Sequence, residues 1–253
     1  MSEWSIGLIT LVCVYAGALL GFGLQRVLPK HHLSTDSRDA VKLVTTLLAT
    51  LSALVLGLLI ASAKGSFEAV GDALKQTSAR VILIDRLLGD YGPEAKGARG
   101  QLKQQYDERF ARLFAEGRRD HDVSELAPGV SADGAFRRSL RALVPATDEQ
   151  RTILSRVRQL YDEVTLTRWL VFEEEDASIP TALLTVLVSW LVMMFVSFGL
   201  FTPGNPTTYG SLFLGSVAVA TAIFLIEEMN RPLAGLIMIS SEPMRNALSV
   251  LGQ

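Results

Sequence analysis

The chain has 253 residues, of which 24 are basic and 26 acidic, so its net charge at neutral pH is −2. This balance excludes the strongly basic surface that nucleic-acid binding requires, and we expect no nucleic-acid partner. The lone cysteine, Cys13, excludes an intrachain disulfide framework.

Long apolar stretches predict membrane-spanning helices. The first covers residues 4–25 and the second residues 43–63. Residues 177–226 then run for 50 positions without a charged side chain, and they contain a Thr-Pro-Gly-Asn-Pro turn at 202–206. A hydrocarbon core about 30 Å thick is crossed by about 20 apolar helical residues, so this stretch is long enough for two passes. We therefore predict four spanning helices in an all-α protein, with the lipid bilayer as its first partner.

The first apolar stretch is expected to stay in the protein as a helix. Its leading residues, Met1, Ser2 and Glu3, carry no positive charge, and it is longer than the apolar region of a typical signal peptide. Basic residues near the membrane ends leave the orientation undecided, because four of them (Arg26, Lys30, Arg38 and Lys42) oppose five others (Lys64, Lys75, Arg168, Arg231 and Arg245).

The charged residues are concentrated in one block of the sequence. Of the 50 charged residues, 38 lie between Lys64 and Asp176, 18 of them basic and 20 acidic. A block of this length can form its own helical core outside the membrane. The sequence therefore predicts four parts: helices 1 and 2 of the membrane region in residues 1–63, a helical extramembrane domain in 64–176, membrane helices 3 and 4 in 177–229, and a short tail in 230–253.

Heptad spacing predicts a long helix at each end of this block. The second span is expected to continue into this block, with a break at Gly65-Ser66 as the alternative. Its apolar positions there follow in steps of three and four: Phe67, Val70, Leu74, Thr77, Val81, Ile84, Leu88 and Tyr91. The second series follows a capping-box pattern, Thr147-x-x-Gln150: Ile153, Val157, Leu160, Val164, Thr167 and Val171. Because the two series lie at opposite ends of the block, we expect them to pair antiparallel. Between them we predict a helix over residues 93–116, a loop over 117–133 and a short basic helix near 136–143.

Small residues recur every four positions in the second span, at Ala49, Ala53, Gly57 and Ala61. Such rows let helix backbones approach closely, and simple packing within one chain explains them, as it does Gly17 and Gly21 of the first span. The alternative is a hydrated path between several copies of the chain. Its candidate lining residues are Thr46, Thr50, Ala53 and Gly57, with Ser52 as a further hydroxyl.

The loop before the second span contains His31, His32 and Asp36. These residue types suggest metal binding or proton sensing near neutral pH, with the identity of any metal unknown. Adjacent histidines do not easily share one ligand face, so an interfacial loop that caps the second span is the alternative interpretation.

Glu227 and Arg231 follow the fourth span at a spacing of four residues, which predicts an ion pair at the helix end. A structural clamp at the headgroup boundary is one role for this pair, and gating or ion attraction is the other. Pro232 is expected to end the helix near Arg231, and Ser240-Ser241-Glu242-Pro243 predicts the start of a short final helix.

Enzyme signatures are absent from the sequence. No P-loop, GxSxG, HExxH or CxxC pattern occurs. We therefore predict that the protein is not an enzyme, and we expect no cofactor.

Three stretches in combination resemble the bacterial DUF4239 proteins, also called bestrophin-like domain proteins. They are residues 28–39, which begin Leu-Pro-Lys-His-His-Leu; residues 54–64, which end Ala-Ser-Ala-Lys; and residues 224–243, which contain Glu227, Arg231-Pro232 and Ser240-Ser241. The resemblance covers nearly the whole chain. It departs from the family pattern at Asn230, where an aspartate is expected.

The resemblance implies a channel architecture. Bestrophins are pentameric anion channels with four spans, a helical cytosolic region and a pore lined by the second span. Two of their features are missing from this sequence. No phenylalanine lies between Leu43 and Ala63, and a single acidic residue, Glu242, follows Arg231 where a calcium clasp is expected. The resemblance therefore supports the architecture more than it supports conduction.

Two functional hypotheses follow. The first is an oligomeric, bestrophin-like channel for anions or other small ions, with the second span lining the pore. The second is a non-conducting membrane scaffold, or a pH or metal sensor, that acts through the helical domain. In both cases the resemblance implies a homo-oligomer in the bacterial inner membrane, with the helical domain in the cytoplasm.

Overall fold

We describe a computed structural model of the chain for residues 3–29, 35–114, 130–176, 181–233 and 236–253. These residues form eight α-helices and no strand, which confirms the all-α prediction. The helices are α1 (Glu3–Val27), α2 (Thr35–Tyr91), α3 (Lys96–Leu113), α4 (Val130–Ala142), α5 (Asp148–Asp176), α6 (Thr181–Phe201), α7 (Pro206–Met229) and α8 (Glu242–Val250).

The chain divides into two compact units. The membrane unit contains residues 1–65 and 179–230, and the helical unit contains residues 66–178 and 231–253. Among the described residues, four helices are long and apolar enough to cross a membrane, namely α1, α2, α6 and α7. The four predicted spans are therefore confirmed.

The turn between α6 and α7 forms where the sequence predicts it. Asn205 caps α7, because its side-chain oxygen accepts a hydrogen bond from the Thr208 amide at 2.8 Å. Pro206 occupies the first turn, where the missing amide proton costs no helical hydrogen bond.

Glycines bring the backbones of α1 and α6 together in the membrane unit. A Cβ atom on Gly21 would overlap the carbonyl oxygen of Val196 and would lie 2.8 Å from the amide nitrogen of Leu200. A Cβ atom on Gly199 would overlap the carbonyl oxygen of Ala18. Small residues permit this close approach where lipid supplies no hydrophobic force between helices. The glycine pattern of the first span therefore serves packing within one chain.

The second part of α2 and the α5 helix form the centre of the helical unit. Both heptad series are buried or half-buried there, and most of their members belong to one hydrophobic core. The side-chain amide of Gln150 donates to the carbonyl oxygen of Tyr91 at 3.0 Å, while Arg80 lies 3.3 Å from both Glu163 and Thr167. Residues nearer the C-terminus of α2 thus contact residues nearer the N-terminus of α5. The predicted antiparallel pairing is confirmed.

The capping pattern before α5 forms with one change. The hydroxyl of Thr147 accepts a hydrogen bond from the Gln150 amide at 3.1 Å, as predicted. The Gln150 side-chain oxygen accepts in return from the amide of Ala146 at 2.8 Å, one residue before the expected donor.

α2 runs through Gly65-Ser66 without interruption, which confirms that the second span continues into the charged block. Two other predicted boundaries need correction. α4 begins at Val130, inside the predicted loop, and the earlier loop residues lie outside the described part of the chain. The helix predicted over residues 93–116 is a short 3₁₀ turn (Pro93–Ala95) followed by α3.

The segment after α7 packs into the helical unit. Four of its apolar side chains are buried in that core: Leu233, Met244, Ala247 and Leu251. The Asp85 carboxylate, 5% exposed, accepts two hydrogen bonds from Arg99 at 2.9 and 2.7 Å and one from the Gly252 amide at 3.1 Å. The bonds to the Asp85 carboxylate raise the pKa of the Arg99 guanidinium. The bond from the Gly252 amide holds the end of the segment against α2.

Candidate pore-lining face of the second helix

The membrane part of α2 has three distinct faces, because an α-helix turns by about 100° per residue. The first face is buried in the core of the membrane unit, at Thr45, Ser52, Leu59 and Ala63. The second carries exposed leucines, at Leu47, Leu51, Leu54 and Leu58. The third, which we call the small-residue face, carries exposed small side chains at Thr46, Thr50, Ala53, Gly57 and Ala61.

The small-residue face is open along its length. A Cβ atom added to Gly57 would meet no atom within 4 Å. The Thr46 hydroxyl donates to the carbonyl oxygen of Lys42 at 2.8 Å, and the Thr50 hydroxyl donates to that of Thr46 at 3.1 Å. Each hydroxyl proton therefore bonds within the helix, and the remaining lone pairs can accept hydrogen bonds from water or coordinate a cation.

Charged side chains continue the small-residue face at both ends of the span. Lys42 and Lys64 lie on its side of α2 and are exposed. Asp39 lies one turn before Lys42, and Glu68 follows Lys64 by four residues. Opposite charges thus accompany both lysines, and neither end of the face has a clear excess of one sign.

α2 is the least covered of the four membrane helices. In its most apolar stretch of 18 residues, 17% of the residues are buried, against 39% in α1, 28% in α6 and 22% in α7. The glycine row of α1 is occupied by α6, whereas the small-residue face of α2 contacts no other helix of the described chain at Gly57. A single chain therefore leaves this face for lipid, for water or for a second copy.

The arrangement matches a known family of membrane proteins. A family model described as a bestrophin-like domain matches residues 12–244. The chain belongs to the bestrophin-like domain family. No curated protein matches the chain.

A solved structure has the same fold as this bestrophin-like protein. It is the crystal structure of a bacterial bestrophin homologue from Klebsiella pneumoniae that carries a point mutation, and the TM-score is 0.68. The two sequences are 14% identical, and the alignment covers 97% of this chain and 99% of the other. At this identity the likeness establishes the fold, including the four membrane helices and the helical region between the second and third.

Ser52 does not belong with the other pore-lining candidates. It is buried on the packed face of α2, and its hydroxyl oxygen has no hydrogen-bond partner in the described structure. The position is about 120° or more around the helix from Thr46 and Thr50, so Ser52 cannot line the same open face. Spacing along the chain did not indicate which face the other helices cover.

The loop candidates remain predictions. His31 and His32 lie outside the described residues, and Asp36 is exposed in the first turn of α2. Within the described ranges, no three histidine, cysteine, aspartate or glutamate residues are grouped closely enough to hold a metal ion.

The ion pair predicted at the end of the fourth span also stays a prediction, although the helix does not extend over both of its residues. α7 ends at Met229 with Asn230 as its cap, so Arg231 lies beyond the helix and the spacing of four no longer implies a shared helical face. The buried carboxylate at this end is that of Glu228, which is 2% exposed, rather than the half-buried Glu227.

Sequence patterns also missed two buried arginines in the helical unit of this bestrophin-like protein. Arg109 and Arg168 are 8% and 5% exposed, and both lie near the phenol of Tyr106. Burial raises the pKa of Tyr106, whose phenol lies 2.7 Å from the Ser78 hydroxyl, while the two arginine charges act in the opposite direction. Arginines on amphipathic helices usually reach solvent, so nothing in their spacing indicated burial.

Proposed function

We propose that this bestrophin-like protein is the subunit of an oligomeric ion channel whose pore is lined by the small-residue face of α2. The observation that supports the proposal is an open row of threonine, alanine and glycine in the least covered membrane helix. Copies arranged around an axis would enclose this row. Small side chains leave room for a hydrated path, and threonine oxygens give water hydrogen-bonding partners inside the bilayer.

The neighbouring leucine face supports this orientation of α2. Leu47, Leu51, Leu54 and Leu58 present large apolar side chains that pack well against lipid tails or against an adjacent subunit. Threonine hydroxyls and bare glycine backbone gain little from lipid contact, because lipid supplies no hydrogen bonds and small side chains bury little area. Lipid therefore suits the leucine face, and water suits the small-residue face.

The ion preference rests on the family resemblance, which favours anions. The charges at the ends of the small-residue face are mixed, and the Thr46 and Thr50 protons bond to their own helix. An anion in the pore would bind the hydroxyl protons after a rotation about the side-chain bond, whereas a cation would bind the lone pairs in the present rotamer. Reversal potentials in chloride and sodium gradients measure which ion permeates.

Flux through purified protein in liposomes tests the pore. We expect wild-type vesicles to leak ions, Gly57→Trp to reduce the flux at least about tenfold, and Leu58→Trp to keep most of it. The two variants add the same side chain one residue apart, on the small-residue face and on the leucine face. Wild-type vesicles as tight as empty ones would favour the alternative hypothesis, a non-conducting scaffold. An equal loss of flux in both variants would show that the small-residue face does not line the pore.

The subunit number is tested by the mass of the protein in detergent micelles. We expect several copies related by rotation, because a single α2 helix cannot enclose a path by itself. A monomer that conducts in liposomes would contradict the proposed arrangement.

We also propose that the helical unit faces the cytoplasm of a bacterial cell, with the protein in the inner membrane. The test uses Ala142→Cys, at an exposed position of α4, in a Cys13→Ser background. An impermeant thiol reagent is expected to leave Cys-substituted protein unlabelled in intact cells and to label it after lysis. Labelling in intact cells would place the unit outside.

A further inference from the structure

Helices α4 and α5 of the helical unit border an open basic cavity that the proposed pore does not use. The cavity has a volume of about 300 Å³, and six residues line it: Arg137, Leu140, Arg141, Arg158, Tyr161 and Asp162. Leu140 and Tyr161 are buried and form its apolar floor. The volume lies at the lower end of the range typical of small-molecule sites.

Two of the three guanidinium groups are held in place. Arg137 pairs with Asp162 at 3.0 Å, and its guanidinium carbon lies 5.2 Å from the centre of the Tyr161 ring. Arg158, although exposed, donates to the carbonyl oxygen of Leu140 at 3.3 Å, and this bond links α5 to α4. Side chains that are already oriented lose less conformational freedom when a ligand binds.

The cavity carries an excess of positive charge. Three arginines and one aspartate line it, which leaves a net charge of +2. The carboxylate of Asp162 is 64% exposed and is already paired with Arg137. Arg141 makes no hydrogen bond or ion pair with the described residues, and the described bond of Arg158 is to a neutral carbonyl.

We propose that this cavity binds a phosphate group that carries two negative charges, as in a phosphate monoester. Guanidinium groups present paired N–H donors whose spacing matches two phosphate oxygens, and two such groups neutralise a dianion. The same chemistry occurs in a soluble organic phosphate and in the headgroup of phosphatidic acid. A phosphate monoester would bind with its phosphate on Arg141 and Arg158 and its apolar portion near Leu140.

Two other arginines of the same helices lie outside the cavity. Arg138 and Arg156 are exposed, as Arg141 and Arg158 are, but they do not line the cavity. They provide a matched control, because a double substitution at either pair removes the same charge from the same helices.

Binding of phenyl phosphate, a soluble phosphate monoester with an apolar portion, to the full-length protein in neutral detergent tests the proposal. It is measured by titration calorimetry at fixed ionic strength. A parallel titration uses dioctanoyl phosphatidic acid, so that a soluble phosphate and a lipid headgroup are compared directly. We expect saturable binding of at least one probe. The Arg141→Gln/Arg158→Gln variant is expected to weaken it at least about tenfold, and the Arg138→Gln/Arg156→Gln variant less than about twofold.

The two probes assign the source of the phosphate. Saturable binding of phenyl phosphate indicates a soluble ligand, and binding of phosphatidic acid alone indicates a lipid headgroup. Circular dichroism of both variants checks that the helices are intact. Equal weakening in the two variants, or an identical response to sodium sulfate, would show a solvated charged surface and overturn the proposal.

A change of oligomeric mass in the Arg141→Gln/Arg158→Gln variant, without any phosphate binding by wild type, would assign the cavity to contact between subunits and also overturn it. The site does not depend on conduction, because its residues lie in the helical unit. A protein that conducts without binding phosphate, or binds phosphate without conducting, would separate the two proposals.

Discussion

The two units satisfy their polar side chains in different ways. In the membrane unit, hydroxyls donate to carbonyl oxygens of their own helix four residues earlier, as at Thr46, Thr50, Ser197, Ser216 and Thr221. In the helical unit, polar side chains also bond between helices. Tyr106 meets Ser78 at 2.7 Å, Gln105 donates to Tyr161 at 3.1 Å, and Arg99 donates to Asp85.

The solvent explains this difference. Water drives large apolar side chains together in the helical unit, and the polar atoms buried with them need partners on the neighbouring helix. Lipid supplies no such force, so α1 and α6 gain contact through bare backbone at Gly21 and Gly199. The stability of the helical unit therefore depends on pairs of side chains that bond between helices. The stability of the membrane unit depends on the absence of side chains where two backbones meet.

The largest loss of unfolding free energy is expected when Asp85, which bonds to residues of two other segments of the helical unit, is replaced. Asp85→Ala removes the partner of Arg99 and of the Gly252 amide. Removing one member of a buried pair costs about 3 kcal/mol of unfolding free energy. Chemical denaturation in detergent measures this, with Asp72→Ala as the control. Asp72 forms an exposed pair with Lys75, and its loss is expected to cost less than about 1 kcal/mol. Similar losses in both variants would show that burial does not matter here.

The next effect tests the contact between α1 and α6. Gly21→Ala forces a methyl group against the backbone of Val196 and is expected to lower the unfolding free energy by about 2 kcal/mol. Gly23→Ala, two residues away on the same helix, meets no atom within 4 Å and should lose nothing. Thermal unfolding of both variants in micelles gives the comparison. Wild-type stability in Gly21→Ala would mean that α1 and α6 lie farther apart.

A smaller effect is expected for the phenol of Tyr106. Ser78 already donates to the carbonyl oxygen of Leu74 at 2.7 Å, so the phenol is the donor of the bond between them. Tyr106→Phe should cost about 1 kcal/mol of unfolding free energy near pH 8. Tyr91→Phe is the control, because the buried hydroxyl of Tyr91 makes no hydrogen bond within the described structure.

The Tyr106 effect should depend on pH in a defined direction. Burial raises the pKa of Tyr106 above its ordinary value of 10.0, so the folded protein favours the neutral phenol. The stabilisation is complete below about pH 10 and is lost as the pH rises through the higher pKa of the folded state. The difference between wild type and Tyr106→Phe should therefore shrink in unfolding curves above about pH 10. A difference that stays constant would show that Tyr106 does not ionise in this range.

The smallest effect is expected at the open face of α2. Gly57→Ala adds a methyl group that meets no atom of the same chain and improves helix propensity. We expect the unfolding free energy to rise by less than about 1 kcal/mol, as measured by thermal unfolding in micelles. A clear loss of stability would show that another subunit packs closely against Gly57.

The sequence predicted those features that depend on composition and period. The four spans follow from uncharged length, and the buried series from Val70 to Tyr91 and from Val157 to Val171 follows from heptad spacing. Both signals lie within one helix, so no knowledge of neighbouring helices is needed. The row of Thr46, Thr50, Ala53 and Gly57 could be predicted because its spacing also lies within one helix.

Features that depend on the placement of one helix against another were not predictable. Spacing places Ser52 near Thr50 in the sequence, but only the packing of α2 shows that Ser52 is buried. Arg168 has the composition of a solvent-facing residue and is nevertheless buried beside Tyr106. The sequence also left a break at Gly65-Ser66 open as an alternative, and it does not form, because helical contacts on both sides outweigh the low helix propensity of one glycine.

The contact of Gly21 with the backbone of α6 restricts what this position can become. No side chain, however flexible, can move away from a carbonyl group that belongs to the neighbouring main chain. Substitution at Gly57 meets no such obstacle within the chain. Saturation mutagenesis scored by the amount of folded protein should therefore favour glycine at position 21, with alanine reduced and larger residues rejected, and should accept almost any residue at position 57. If the same variants are scored by ion flux, large residues at position 57 should also be rejected. Only the flux assay would then show a preference for small residues at both glycines.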